Sequence, residues 1–164
     1  MENLRAEFVD RINAAHERWR GLVADVGEKR MELPGAMGEW TFKDVASHLT
    51  AWRRRTIDRV NAAAHGDPSP PAPWPVELGE DEDDPINAWI HEQTKDRRLS
   101  DVLADADIAY DELVAAVQAL PLDDAMDPAR FGFLGGDALL YTDPGGHLSL
   151  HEADVRRWLE SLED

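Results

Sequence analysis

The chain has 164 residues, no cysteine, and 17 Lys and Arg against 34 Asp and Glu, a formal charge of −17. Such acidity argues against nucleic acid or an anionic membrane as partner, because contacting phosphates takes clustered Lys and Arg. The missing cysteines exclude disulfides, thiolate metal sites and a cysteine nucleophile, while 43% apolar residues suffice for one hydrophobic core, so a single folded domain over residues 1–164 is expected.

From the N-terminus, Leu4, Phe8, Ile12, Ala15, Trp19, Leu22 and Val26 recur three or four residues apart, the period of one helix face. The opening stretch lacks the apolar core of a signal peptide, and no later run approaches the ~20 residues of a membrane span. A cytoplasmic protein is therefore expected. The first helix gives way at Leu33-Pro34-Gly35, and Thr41-Phe42-Lys43-Asp44 reads as a capping box opening a second. Its inward face is Val45, His48, Leu49, Trp52, Thr56 and Val60, with Gly66 as the stop.

The prolines between Pro68 and Pro75 and the acidic run Glu80 to Asp84 predict a loop, its acidic part solvated. That run lacks the alternate-position ligands and central glycine of a calcium loop. Asp84-Pro85 then opens a short helix through Ile86, Trp89 and Ile90. A third long helix starts at Ser100, with Leu103, Ala106, Tyr110, Leu113, Val117 and Leu120 inward, and Pro121 closes it. The stretch from Pro121 to Asp143 reads as a packed, irregular connection. Asp143-Pro144 begins a last helix to about Leu162, with Leu148, His151, Val155, Trp158, Leu159 and Leu162 inward. No run of strands stands out. The expected fold is all-α: a four-helix bundle with long connections after helices two and three and one short extra helix.

Three of the six histidines fall on inward faces near helix starts: His48, His147 and His151. The last two are spaced i, i+4, so their imidazoles project from one side of a helix and can reach one ion. The alternative is a pair of partly buried, hydrogen-bonded histidines. Counted from caps at Thr41 and Asp143, the three lie about 10, 6 and 12 Å along their helices. They can converge only if helices two and four present their N-terminal halves at the same end of the bundle, as simple up-down-up-down connection would give, although two long connections leave other orders open. His16, His65 and His91 have no partner at ligand spacing and read as surface or structural.

The stretch Trp40-Thr41-Phe42-Lys43-Asp44-Val45-Ala46-Ser47-His48-Leu49-Thr50-Ala51-Trp52 resembles the helix-two signature of the DinB/YfiT-like superfamily, and more narrowly of its ClbS/DfsB-type four-helix bundle branch. Asp84-Pro85-Ile86-Asn87-Ala88-Trp89-Ile90 through Asp96-Arg97 resembles the short middle helix of that branch, and Gly146-His147-Leu148-Ser149-Leu150-His151 the start of its last helix. The resemblance implies a divalent metal, commonly nickel or zinc, held by one histidine of helix two and two of the last helix. Here those are His48, His147 and His151. It also implies chemistry on small electrophiles, since the wider superfamily includes transferases that use low-molecular-weight thiols, a thiol-dependent isomerase and proteins that open reactive electrophilic rings.

Three neutral imidazoles leave a dication its full charge, so that it can lower the pKa of bound water or thiol. The expected function is therefore a metal-dependent hydrolase or low-molecular-weight thiol S-transferase acting on a small electrophile, in detoxification or self-protection, with metal binding that weakens below about pH 6. The alternative is a non-catalytic binder that sequesters a reactive small molecule, its histidines structural. Asp44, i−4 from His48, is a candidate to orient that ring, against its capping role. Tyr141 is a candidate acid, against packing the connection. Trp52 and Trp89 are candidates to wall a substrate pocket, against membership of the core. Arg53, Arg54 and Arg55 form a dense basic cluster that could hold a carboxylate; they read as a solvated helix face pairing with the acidic excess, and no anion site is assigned to them. The aromatic surface would allow a homodimer.

Overall fold

A computed structural model of the protein describes residues 2–79, 82–120 and 144–163. The Pro121–Asp143 connection, Tyr141, the cap at Asp143 and the acidic residues Glu80 and Asp81 lie outside the described residues. The described residues form five α-helices, α1 (Glu2–Val26), α2 (Phe42–Ala64), α3 (Asp83–Thr94), α4 (Leu99–Ala119) and α5 (Pro144–Ser161), and a two-stranded antiparallel hairpin, β1 (Pro34–Met37) and β2 (Trp40–Thr41). This is the all-α bundle that the four apolar stripes predict. Among the described residues the hairpin departs from it: two residues of β2 cannot display an alternating pattern, so nothing in the sequence announces it.

The caps set the helix starts closely. Thr41 Oγ1 accepts from Asp44 N at 3.1 Å, and Asp44 Oδ2 accepts from Thr41 N at 2.9 Å, completing the capping box at the start of α2. The helix stops at His65, with Gly66 in the left-handed region at φ 74°. α3 begins two residues earlier than the Asp84-Pro85 reading, with Glu82 as a cap that makes no side-chain bond, and α4 begins at Leu99 rather than Ser100, both within the usual fraying of helix ends.

The core gathers Phe8, Ile12, Ala15, Trp19, Leu22 and Val26 of α1 with Val45, Leu49 and Val60 of α2, Tyr110, Leu113 and Val117 of α4 and Leu148, Val155 and Trp158 of α5. The predicted stripes shift in places. Val102 is buried in place of Leu103, Leu162 is exposed, and Ile57 and Arg53 take the inward places assigned to Thr56 and Trp52. A second apolar cluster holds Trp74, Ile86 and Ile90, with Trp52 and Trp89 packed against it. Trp74 Nε1 donates to Gly79 O at 2.9 Å and Arg55 Nη1 to Pro70 O at 2.7 Å. The proline-rich stretch is thus the expected loop, with its prolines mostly exposed, and it is pinned over α2 and α3 through Trp74 and Pro70.

The helices do not alternate simply. Arg18 of α1 reaches Ser149 and Glu152 of α5, and Asp25 meets Arg156, so α1 and α5 run the same way. Trp19 stacks on Phe42 at the start of α2, and the C-terminal half of α5 packs on β1, where Trp158 Nε1 donates to Pro34 O at 3.1 Å. α5 therefore runs antiparallel to α2. Arg54 bonds Asp105 and Glu112, and Ile57 to Asn61 share a groove with Glu112 to Ala116, which makes α2 and α4 parallel. The order is up, down, down, up, with the parallel pair joined by the crossover that the long connection and α3 provide.

Candidate metal centre

α2 and α5 each bring histidines to one spot. His48 Nε2 lies 3.1 Å from His147 Nε2, and His147 Nε2 lies 3.2 Å from His151 Nε2. The three ring centroids stand 5.0 Å apart in every pair, and one nitrogen from each ring falls within 4.8 Å of the others. Convergence does not need parallel helices. α5 starts beside His48 and runs toward the hairpin, so the N-terminal halves of two antiparallel helices meet through a stagger.

The fit to an ion can be tested on these distances. Nitrogens 2.0–2.1 Å from a shared ion sit about 2.9 Å apart at right angles and about 3.4 Å apart at the tetrahedral angle. The observed separations fall between the two. His147 Nε2 faces two other ring nitrogens and as a lone donor can serve only one of them fully, whereas a cation would take all three lone pairs.

Burial keeps these rings neutral. The pKa of His48 is pushed down to about 3, first by desolvation and then by His147 and His151. That of His147 falls to about 4, by desolvation, His151 and the positive charge of Arg53. His151 also shifts down through desolvation, opposed by Asp154. Buried imidazole loses its charged form because the imidazolium gives up more hydration than the neutral ring. The free lone pairs of His48 and His147 therefore persist well below pH 6, lower than those of ordinary imidazoles.

The other singled-out residues take these places. Asp44 is spent on the cap: its Oδ2 accepts from the backbone and hydroxyl of Thr41, and its Oδ1 stands 3.5 Å from His91 Nε2. It makes no hydrogen bond to His48, whose Nδ1 is buried without a partner among the described residues. Trp52 donates to Asn87 Oδ1 at 2.9 Å and leans on Trp74 at 5.2 Å. With Trp89 it belongs to the second apolar cluster. Trp40 is the tryptophan that stands edge-on to His48, at 5.6 Å, and it stacks on His91 at 5.1 Å. Sequence reasoning passed over both, since Trp40 precedes the helix and His91 sits on a different one.

The arginine triplet is the plainest correction. Arg53 and Arg55 are buried, at 6% and 5% exposure, whereas Arg54 is half-exposed and ion-paired with Asp105 and Glu112. His16 is structural: it bonds Asp107 at 2.6 Å and stacks on Tyr110. His65 is exposed.

A family described as mycothiol maleylpyruvate isomerase N-terminal domain matches residues 12–156. No curated protein and no solved structure matches the chain. No described helix is long and apolar enough to cross a membrane.

Proposed function

The chain belongs to the mycothiol maleylpyruvate isomerase N-terminal domain family, a DinB/YfiT-like helical group, and on that premise we propose that it is a metal-dependent enzyme that activates a low-molecular-weight thiol for attack on a small electrophile. One observation carries the reading: the Nε2 atoms of His48, His147 and His151 meet at 3.1 and 3.2 Å in rings that burial holds neutral. The family's name links it to mycothiol, a thiol, and this favours thiol chemistry over hydrolysis.

His48, His147 and His151 would hold a divalent ion; the resemblance to DinB-like proteins implies nickel or zinc, and both accept imidazole donors. Such an ion supplies Lewis acidity, lowering the pKa of a thiol beside it toward neutrality. The chain's own residues do the rest. The capping box fixes the start of α2 and with it the depth of His48. Trp40 closes one edge of His48 against water. The Arg18 bonds to Ser149 and Glu152 tie α5 to α1 within the same turns that carry the histidine pair. The narrower likeness to ClbS/DfsB-type proteins belongs to this proposal and makes a reactive, host-damaging electrophile the substrate class.

The test pairs elemental analysis with a thiol-consumption assay. The reconstituted protein should hold about one dication per chain, lost in His48→Ala and His151→Ala. A panel of small electrophiles should consume mycothiol faster with wild type than with either variant. Failure to take up metal after reconstitution defeats the proposal. It leaves the non-catalytic reading, in which a ligand stabilises the fold without turnover and does so equally in the histidine variants.

A further inference from the structure

We propose that Arg53 is a recognition residue for a carboxylate carried by the small ligand, seated beside the three-histidine cluster. Arg53 follows His48 by five residues on α2 and is buried, with 6% exposure. Among the described residues it forms no hydrogen bond and no ion pair, and its Nε is sealed from solvent without a partner. Scarcity of acids does not explain this, because the chain has 34 Asp and Glu. The neighbouring Arg54 takes two of them, Asp105 and Glu112, and Arg55 is bonded to Pro70 O. Arg53 alone of the triplet is left with its donors unspent among the described residues.

Its guanidinium is held by stacking. The Cζ lies 3.7 Å from the centroid of Tyr110, whose ring also stacks on His16 at 4.3 Å, and His16 is fixed by Asp107. Two groups that close to one centroid must occupy opposite faces, so the phenol is sandwiched between imidazole and guanidinium. Stacking engages the guanidinium face and leaves its N–H groups in the plane, where they match the two oxygens of a carboxylate. The group is thus aimed and unsatisfied at once, a costly state for a buried cation unless an anion arrives.

The position suits a ligand that also meets the histidines. The charge of Arg53 is felt at His147, and three neutral imidazoles would leave a dication uncompensated. The combined site is strongly positive within an acidic chain and selects an anionic ligand. This placement beside the reacting centre rests on the metal-site reading; the capture of a carboxylate by Arg53 does not.

The experiment therefore begins with metal-free protein in EDTA at constant ionic strength, probed with malonate and, as the uncharged control, malonamide. Malonate should raise the thermal midpoint of wild type and malonamide should not. Arg53→Gln should abolish the response, and Arg53→Lys, which keeps the charge but loses the fork, should weaken malonate binding at least tenfold. A wild type indifferent to malonate, or an Arg53→Gln protein that binds it as wild type does, overturns the proposal. So does loss of stability in both variants with the malonate response intact, which would make Arg53 only a packing partner of Tyr110. Metal content is measured separately in each protein, so failure of the metal reading leaves the malonate result standing and the reverse also holds. Two further arms locate the carboxylate: an acid and its methyl ester among electrophiles, and cysteine against cysteamine among thiols. Arg53→Gln should raise KM at least tenfold for the carboxylate member of one pair and spare the neutral member; equal effects on both members overturn the assignment.

Discussion

Acidifying the metal-free protein should expose the buried histidines as a stability term. An unfolded imidazole titrates near 6.5, whereas His48 in the fold titrates near 3 and His147 near 4. Between those values the unfolded chain binds protons that the native chain refuses, so stability is present in full above about pH 6.5 and falls as pH drops toward 3. At pH 4.5 the unfolded imidazole lies two pH units below its pKa, at 1.36 kcal/mol per unit, so each ring costs about 2.5 kcal/mol. The two together cost on the order of 5 kcal/mol, a large share of the usual stability of a domain. Urea unfolding in EDTA at pH 7.5 and 4.5 measures this, with His48→Gln as comparison. Carboxylate contributions are common to both proteins and cancel in the difference. The variant should lose about 2.5 kcal/mol less than wild type on acidification, and a His48→Gln/His147→Gln double variant about 5 kcal/mol less. Equal losses, to within about 0.5 kcal/mol, would refute the claim that burial in this cluster holds the rings neutral.

The same shifts govern metal affinity: three unperturbed imidazoles would weaken binding up to about a thousandfold between pH 7.5 and 5.5, but this site should change by less than about tenfold, read by competition with a chromophoric chelator. Gly35→Ala should destabilise by about 2–3 kcal/mol in urea, because φ is +110° there and a Cβ would stand 2.9 Å from Trp158 Cδ1. An unchanged midpoint would show that α5 does not depend on its seat against β1. Thr41→Ala should cost about 1 kcal/mol through loss of the cap. Asp44→Asn should leave metal stoichiometry intact, since its carboxylate serves Thr41 and not His48; loss of metal in that variant would restore an orienting role to Asp44.

The sequence by itself determined the helices and most of their buried faces. The stripe from Phe8 to Val26 is buried as spaced, and the Thr41 and Asp44 box opens α2 at the place its letters indicate. Both follow from local rules, a 3.6-residue period and a side chain long enough to reach its own backbone. The pairing of His147 with His151 was legible for the same reason, being one turn of one helix. What joined His48 to them was tertiary. The up, down, down, up order and the stagger of α5 depend on which stripes pack together, and a stripe carries no label for its partner. Arg53 shows the limit most clearly: its charge reads as surface in the sequence, and only the meeting of α2 with α4 reveals that Tyr110 waits to cover it. A charge belongs inside or outside according to what the rest of the chain brings against it, and that is decided by packing across helices rather than by neighbours along one.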